Sequence, residues 1–310
     1  MSVRLLVHPA MPGLDRLLSA YELIAIPSDA AACAAFLREE APRIEAAVII
    51  GSIGLPADVL AAARNLKLIA AFGAGYDGVD PAALAARGVA LTNCPAINHE
   101  DVADVAMGLL ISVTRDIAKG DALVRAGRWR EGLIWPRTLR GRKLGIVGYG
   151  AIGQAIAHRA EAFGLDIRWT GPNAKADARH AFEPDLGKLA AWADILAIAV
   201  RADTRTDKLI DADIIAALGA EGVLINVSRG SVVDEDALIA ALKSRALYGA
   251  GLDVFAEEPT PAARWADAPN VTLTPHIAGG TRESIIESGR VVAENLRRFF
   301  AGEALLSRVN

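Results

Sequence analysis

One short segment constrains the fold of this chain more than any other. Between residues 143 and 157 an apolar run is followed by a glycine-rich turn and then by an alanine-rich stretch. Gly148, Gly150 and Gly153 have the spacing G-x-G-x-x-G, which is weak evidence alone because ordinary strand-to-helix turns also contain glycine. In a dinucleotide site the first glycine permits the tight turn, the second lets the backbone approach the pyrophosphate, and the third lets the helix pack on the strand. The strand before and the helix after this turn favour that site, with helix amides facing the phosphates. The predicted cofactor-binding residues here are Gly148, Gly150, Ala151, Ile152 and Gly153.

The second strand of such a site normally ends with a carboxylate that binds the ribose 2′-hydroxyl. The corresponding run is residues 166–170, and the residues after it are Gly-Pro-Asn-Ala-Lys. Asp166 opens the strand and therefore lies at the wrong end for the ribose. Without a carboxylate a 2′-phosphate would not be repelled, and Asn173 and Lys175 could bind it. NADP is therefore favoured as cofactor, and NAD remains possible.

Apolar runs alternate with alanine-rich stretches along nearly the whole chain, which predicts the fold class. Repeated alternation of strand and helix is typical of parallel sheets covered by helices on both faces. Because ten strands would make one unusually wide sheet, we expect two sheets in two domains. The hydrophobic fraction of 53% reflects alanine-rich helices rather than a membrane protein. The predicted strands are 4–8, 47–51, 66–72, 89–92, 143–148, 166–170, 195–200, 222–227, 249–253 and 271–274.

The domain boundary is predicted near residues 95–98. From residue 100 to residue 120 the pattern predicts one long helix, with acidic residues in its first turn and Lys119 and Gly120 at its end. Residues 127–141, rich in Trp and Arg, are predicted to form a loop that enters a second domain. The amphipathic helix predicted at 282–300 could return to the first domain. Further helices are predicted at 56–63, 81–87 and 234–244.

Composition and charge exclude several classes of protein. A net charge of −4 and the lack of a basic tract argue against nucleic acid as the main partner. The longest stretches without a charged residue, 144–158 and 268–281, are too short to span a bilayer as a helix. Cys33 and Cys94 have no metal-ligand spacing, and the N-terminus does not resemble a signal peptide. We therefore expect a cytoplasmic protein with no metal site and no membrane partner.

Three polar segments follow predicted strands, at the edge where open parallel sheets bind their ligands. They begin at Asn226, Asp253 and Thr274 and read NVSRG, DVFAEEP and TPHIAGG. Together with the glycine turn they resemble the D-isomer-specific 2-hydroxyacid dehydrogenases over essentially the whole chain. The resemblance extends to FGAGYD at 72–77 and to VVDE at 232–235. It implies an α/β protein in which a doubly wound Rossmann sheet, residues 98–280, is inserted into a flavodoxin-like substrate domain, residues 1–97 and 281–310.

The resemblance also implies catalytic roles, which agree with the chemistry of reducing a 2-oxo acid. Arg229 presents a fork that can hold carboxylate and carbonyl oxygens and stabilise negative charge. His276 is the candidate acid and base, because imidazole titrates near working pH. Glu258 would bind the other ring nitrogen and favour the protonated form. The backbone amides of Ala74 and Gly75 would complete the binding of the substrate carboxylate. Taken singly, these residues could form a surface ion pair, a turn or a loop hydrogen bond, but their order and context favour function.

The remaining cofactor contacts are also implied by the resemblance. Asp253 matches the residue that contacts the nicotinamide carboxamide, and His276 lies beside the same ring. Val200 is the predicted contact at the adenosine end. The segment 200–204 occupies the place where the family usually has a proline and a leucine beside the adenosine, and Arg201 and Asp203 make this edge more polar.

The function most consistent with these features is reduction of glyoxylate and hydroxypyruvate by an NADP-preferring enzyme that forms a homodimer. The loop from Trp129 to Trp135 resembles a segment of glyoxylate and hydroxypyruvate reductases that lies near the substrate, although it could equally be dimer-interface packing. A D-lactate or 3-phosphoglycerate dehydrogenase of the same family is an alternative. A non-catalytic dinucleotide-binding regulator is another, which the presence of Arg229, Glu258 and His276 together disfavours. A formate-type dehydrogenase fits less well, because formate has no 2-hydroxy group for the histidine to protonate.

Overall fold

The structure is a computed structural model that describes residues 3–9, 11, 14–132 and 135–310. The strands in chain order are β1 (Arg4–His8), β2 (Glu22–Ile24), β3 (Ala46–Ile50), β4 (Leu68–Phe72), β5 (Ala90–Thr92), β6 (Lys143–Val147), β7 (Asp166–Thr170), β8 (Ala181–Phe182), β9 (Ile195–Ile198), β10 (Val223–Asn226), β11 (Gly249–Leu252) and β12 (Val271–Leu273). The helices are α1 (Leu14–Leu17), α2 (Ala30–Glu39), α3 (Ala57–Ala62), α4 (Pro81–Ala86), α5 (His99–Arg115), α6 (Ile117–Arg125), α7 (Ala151–Ala162), α8 (Leu186–Trp192), α9 (Ala212–Leu218), α10 (Glu235–Lys243), α11 (Ala262–Trp265) and α12 (Arg282–Phe300).

The chain divides into two compact units, residues 1–98 with 281–310 and residues 99–280. The first unit contains a parallel sheet of five strands in the order β2-β1-β3-β4-β5, which is the flavodoxin-like order. Neighbouring residues of its strands point to opposite faces, so Leu5 packs with Val292 and Leu296 of α12, whereas Leu6 packs with Phe36 and other residues of the opposite face. Both faces of the sheet are therefore covered.

The second unit contains a parallel sheet of seven strands in the order β12-β11-β10-β9-β6-β7-β8. The strand order reverses between β6 and β9, which is where doubly wound sheets bind their ligands. Ile146 packs with buried residues of α5 and α7, and its neighbour Val147 packs on the other face with residues of α8, α9 and α10. This architecture confirms the predicted fold class.

Aspartate side chains begin many of the helices. Asp185, Asp211 and Asp234 each accept a hydrogen bond from a backbone N–H in the first turn of the helix that follows. These bonds satisfy amides that have no partner within the helix. Asp234 caps α10, so VVDE lies at the start of this helix.

The ten predicted strands are all present, with ends that agree to within two residues, but two strands were not predicted. These are β2 and β8, which have three and two residues and pair with one neighbour each at a sheet edge. The single helix predicted at 100–120 is wrong. α5 ends at Arg115 and α6 begins at Ile117, because Asp116 takes a left-handed conformation with φ +53°. Aspartate tolerates this conformation better than most residues.

The predicted loop at 127–141 contains neither helix nor strand among its described residues, and Leu133 and Ile134 lie outside the described part of the chain. In the part of the chain that the structure describes, no helix is long and apolar enough to cross a membrane.

Candidate active site

The glycine turn lies between β6 and α7, at the point where the strand order reverses. Gly148 has φ +95°, and a Cβ on it would lie 2.7 Å from the carbonyl oxygen of Ala199, so only glycine fits. A Cβ on Gly153 would lie 2.0 Å from the carbonyl oxygen of Gly148, which shows how closely α7 packs on the turn. By contrast, a Cβ on Gly150 would meet nothing within 4 Å. The space beside Gly150 is open, as close approach of a pyrophosphate requires.

The ends of two neighbouring strands adjoin this turn. Gly148 N–H donates to the carbonyl of Thr170, the last residue of β7, at 2.9 Å. The segment from Gly171 to Lys175 therefore leaves the sheet beside the turn, and the Lys175 ammonium donates to the carbonyl of Tyr149 at 2.6 Å. On the other side, Val200 follows β9, and its Cγ1 would lie 2.8 Å from a Cβ on Gly148. Asn173 is exposed, and the segment 171–175 contains no carboxylate.

These features fit a dinucleotide. The amides of Ala151 and Ile152 are in the first turn of α7, where backbone N–H groups lack helical partners, and the first helical bond runs from Gln154 N–H to the Gly150 carbonyl at 3.0 Å. Asp166 pairs with Lys143 at the opposite end of β6 and β7, so it is remote from this site. At the predicted adenosine edge, the Asp203 carboxylate accepts hydrogen bonds from the backbone N–H and the guanidinium of Arg205. These hydrogen bonds lower the pKa of Asp203 to about 2.

Arg229 stands on the loop that follows β10. The loop is fastened by Asn226, which is buried with 1% exposure. The Asn226 side chain donates to the carbonyl of Arg229 at 2.9 Å and accepts hydrogen bonds from the amide and the hydroxyl of Ser228. The Arg229 guanidinium donates to the Ser228 carbonyl at 2.7 Å and remains partly exposed. The loop thus holds the base of Arg229 in place and leaves part of its side chain accessible.

His276 and Glu258 stand on the loops that follow the two adjacent strands, β12 and β11. His276 Nδ1 lies 2.6 Å from Glu258 Oε2, and both side chains are about one-third exposed, at 34% and 35%. The other carboxylate oxygen of Glu258 accepts a hydrogen bond from Phe255 N–H at 2.9 Å. His276 has φ +52°, a left-handed conformation in which histidine is enriched. The imidazole is therefore oriented by Glu258, and its Nε2 is left for other partners.

The charges around Glu258 decide its protonation. Burial raises the pKa of Glu258, but the hydrogen bonds from His276 and from Phe255 N–H lower it more, and the charge of Arg229 acts in the same direction. The net pKa lies below the ordinary value, so Glu258 is ionised at neutral pH and can only accept hydrogen bonds. His276 Nδ1 must then carry the proton of the 2.6 Å bond, and any proton exchanged with a ligand resides on Nε2.

Asp253 has its side chain buried, with 1% exposure. One carboxylate oxygen accepts hydrogen bonds from the hydroxyl of Thr274 at 2.6 Å and from Ile277 N–H at 3.0 Å, and the other accepts from Ala278 N–H at 2.9 Å. The carboxylate therefore ties down the loop that carries His276. Sequence reasoning did not find this role, and the predicted contact of Asp253 with the nicotinamide carboxamide stays a prediction.

Ala74 and Gly75 follow β4 in the first unit. The Ala74 carbonyl accepts a hydrogen bond from the Asn93 side chain at 2.8 Å. A Cβ on Gly51 would lie 1.9 Å from the Gly75 oxygen, so glycine at position 51 lets the two loops of this unit pack together. The role of the Ala74 and Gly75 amides in substrate binding stays a prediction.

Two other polar residues of the site were missed. Asn226 fastens the Arg229 loop, and Glu235 is a buried carboxylate whose oxygens contact Ala256 N–H and Arg264. The available signal was the asparagine at the end of a buried strand and the acidic residue in the first turn of the following helix. No group of three or more residues of the metal-ligating types could hold a metal ion within the described ranges.

A dinucleotide turn at the switch point, with a histidine and a partly exposed arginine on loops from the same sheet, defines a dehydrogenase of the Rossmann class. Residues 107–278 match the NAD binding domain of the D-isomer specific 2-hydroxyacid dehydrogenases. The chain belongs to this family and is an NAD(P)-dependent oxidoreductase.

Several relatives are similar along most of the chain. A 2-ketogluconate reductase of Gluconobacter oxydans is 40% identical over 276 residues, which cover 88% of each chain. A glyoxylate/hydroxypyruvate reductase A of Arabidopsis thaliana is 38% identical, with 86% of this chain and 85% of the relative covered. The solved structure of an NADPH-dependent glyoxylate/hydroxypyruvate reductase from Sinorhizobium meliloti, in complex with NADP and malonate, is 37% identical with a TM-score of 0.92, covering 100% of this chain and 97% of the other.

Proposed function

We propose that the protein reduces small 2-oxo acids to 2-hydroxy acids with NADPH, and that glyoxylate and hydroxypyruvate are substrates. The observation that carries this proposal is the 2.6 Å contact of His276 with an ionised Glu258. The same unit contains the glycine turn, and the segment 171–175 beside that turn has no carboxylate. The relatives from Arabidopsis thaliana and Sinorhizobium meliloti, both glyoxylate/hydroxypyruvate reductases, support the choice of substrate.

The proposed mechanism assigns one task to each side chain. NADPH, when bound, supplies the hydride that reduces the carbonyl carbon. Arg229 binds the substrate carboxylate and carbonyl oxygens with its guanidinium fork, which orients the carbonyl and stabilises negative charge on its oxygen. His276 holds a proton on Nε2 and donates it to that oxygen. Glu258 accepts a hydrogen bond from Nδ1–H, fixes the ring orientation and stabilises the imidazolium. In the reverse direction the neutral His276 accepts the hydroxyl proton.

The preference for NADPH is argued from the residues after β7. An NAD site places a carboxylate there, which would repel a 2′-phosphate. Here the exposed Asn173 can donate a hydrogen bond, and Lys175 brings a positive charge to the edge of the glycine turn. The NADP found with the Sinorhizobium meliloti relative is consistent with this assignment.

We also propose the cellular setting and the assembly. The second unit is assigned as the cofactor domain and the first as the substrate domain. The free Cys33 and the buried Cys94 agree with a reducing compartment such as the cytoplasm. Homodimer formation is supported by exposed apolar side chains on α6 and the loop after it, where Val124, Trp129 and Trp135 are 60%, 70% and 82% exposed. Light scattering after size exclusion would test the dimer, and a monomer at micromolar concentration would contradict it.

The decisive experiment is a panel of 2-oxo acids assayed with NADPH and NADH separately. It includes glyoxylate, hydroxypyruvate, pyruvate, 3-phosphohydroxypyruvate and 2-ketogluconate, the last because of the 40% identity to a 2-ketogluconate reductase. We expect the highest kcat/KM with glyoxylate or hydroxypyruvate and NADPH. Faster oxidation of NADH would show that the cofactor assignment is wrong, and a clear preference for 2-ketogluconate would change the substrate to a sugar acid.

A further inference from the structure

Glu235 has a buried carboxylate to which the proposed mechanism gives no role. It is the first residue of α10, and only 4% of its side chain is exposed. One oxygen accepts a hydrogen bond from Ala256 N–H at 2.7 Å, and the other accepts from Arg264 Nε at 2.7 Å. Burial of a carboxylate is costly unless it is paired and hydrogen-bonded, and here both oxygens are satisfied. One of these bonds connects α10 to the loop that carries Glu258.

The position of that bond within the loop is important. Phe255 N–H donates to Glu258 Oε1 at 2.9 Å, and the next amide, Ala256 N–H, donates to Glu235. Two successive amides therefore each bind a carboxylate, one from the catalytic pair and one from Glu235. Because adjacent peptide groups share a Cα, fixing the second restricts rotation of the first. The bond from Glu235 thus limits where the Phe255 amide, and with it the Glu258 carboxylate, can point.

The loop of Arg229 rests on the same peptide group. A Cβ on Gly230 would lie 1.8 Å from the carbonyl carbon of Phe255 and 2.1 Å from Ala256 N, so the two backbones are in direct contact. The peptide between Phe255 and Ala256 therefore adjoins Arg229 through Gly230. The preceding peptide, which shares the Cα of Phe255, donates its N–H to Glu258, and Glu258 contacts His276. A displacement of this peptide would affect all three side chains of the proposed mechanism.

We propose that Glu235 is a positioning residue for the reduction. Supported by Arg264, it holds the peptide between Phe255 and Ala256 in the orientation that directs Glu258 at His276. This inference rests on the proposed roles of His276 and Glu258. Loss of the acceptor at position 235 frees the peptide and lengthens the contact between Glu258 and the imidazole. The longer contact weakens both the hydrogen bond that orients the imidazole and the charge interaction that stabilises its protonated form.

Three variants and one control test the inference. Glu235→Leu removes both acceptors, Glu235→Gln keeps one, and Arg264→Leu removes the supporting cation. Asp236→Asn is the matched control, because Asp236 is the neighbouring residue, is 82% exposed and contacts Arg264 without reaching the loop. We expect kcat to fall about 100-fold for Glu235→Leu and about tenfold for the other two, since a misplacement of about 1 Å costs on this order. NADPH affinity, measured by calorimetry, stays within about twofold because the glycine turn is untouched.

The pH profile separates positioning from general stability. The readout is the pH at which kcat for reduction, on the high-pH side of the profile, has fallen to half its maximum. For Glu235→Gln and Arg264→Leu this pH should be lower than in the wild type by about half a unit or more. For Asp236→Asn it should equal the wild-type value. A lower melting temperature with an unchanged kcat and pH midpoint in both variants would overturn the inference. If Glu235→Leu does not fold, these two variants decide the outcome.

A second readout does not depend on the substrate. NMR titration of the His276 ring protons, assigned by their absence in His276→Ala, shows whether Glu235→Gln moves the titration to lower pH. An unchanged titration would refute the positioning role. Failure of the wild type to reduce any 2-oxo acid would instead refute the proposed function, and the NMR result would still decide the role of Glu235.

Discussion

Replacement of Gly230 by alanine is the change whose effect follows most directly from the structure. The added Cβ would lie 1.8 Å from the Phe255 carbonyl carbon and 2.2 Å from its oxygen, and these are backbone atoms that cannot move aside by rotating a side chain. The two loops must separate by roughly 1.6 Å to restore an ordinary contact of 3.4 Å. Gly230 does not have a positive φ, so the whole effect comes from this contact.

The magnitude follows from that displacement. A misplacement of about 1 Å at a reacting group costs about 100-fold, so kcat/KM for 2-oxo acids should fall at least about 100-fold in Gly230→Ala. Overpacking of about 1–3 kcal/mol should lower Tm by about 2–12 °C in a protein of this size. Gly108→Ala is the control, because a Cβ there meets nothing within 4 Å on an exposed position of α5. The control should gain about 0.5–1 kcal/mol in stability and keep its activity.

The assay is steady-state oxidation of NADPH with glyoxylate and hydroxypyruvate, together with calorimetric binding of NADPH. Binding should survive in Gly230→Ala, because the glycine turn lies on different strands. Wild-type kcat/KM together with an unchanged Tm would refute the reasoning, since the two backbones could not then be in the contact described.

Three further predictions concern side chains of the proposed catalytic and cofactor-binding sites. His276→Ala should lower kcat by about 10²–10⁴-fold and leave calorimetric NADPH binding within about threefold; near-normal turnover would remove His276 from proton transfer. Asn173→Asp places a carboxylate where a 2′-phosphate is expected, so KM for NADPH should rise about tenfold while KM for NADH stays the same or falls. An unchanged ratio of the two KM values would show that the 2′-phosphate does not bind at Asn173. The pKa of Glu258 is lower in the folded protein than its ordinary value of 4.5. The ionised Glu258 therefore adds to the free energy of unfolding. This contribution is complete above the unfolded-state pKa and is lost as the pH falls through the folded-state pKa. Glu258→Gln should therefore be less stable than the wild type in urea at pH 7, and the difference should shrink below about pH 4; a constant difference would argue that packing, not ionisation, is responsible.

The long-range order of the fold could be predicted because each central strand carries its own signal. Runs such as residues 195–200 are apolar throughout, as expected of strands that are buried on both faces. β2 and β8 lack this signal, because both are short edge strands whose side chains are partly or fully exposed. The break at Asp116 was also invisible, since the residues on both sides continue a helical pattern and a single left-handed residue leaves no composition bias.

The site could be predicted only in part, for a different physical reason. Arg229, Glu258 and His276 each follow a strand, and the parallel sheet places the ends of those strands side by side. The residues that support them depend on contacts across distant sequence. Glu235 and Arg264 are 29 positions apart, and Asp253 binds amides 24 and 25 residues later. Such pairs are selected by the packed tertiary structure, so spacing along the chain does not reveal them.

The stacking of Tyr149 on Trp169 gives the protein an optical property. The two rings are 4.6 Å apart and inclined by 16°, and Trp169 is 1% exposed beneath the residue that separates Gly148 from Gly150. Its emission should be blue-shifted and resistant to acrylamide, whereas Trp129 and Trp135, at 70% and 82% exposure, should be quenched readily. A reduced dinucleotide bound at the turn should quench Trp169 by energy transfer, because the dihydronicotinamide ring absorbs at the wavelengths where tryptophan emits. The emission of Trp169 should therefore report the binding of NADPH without a label.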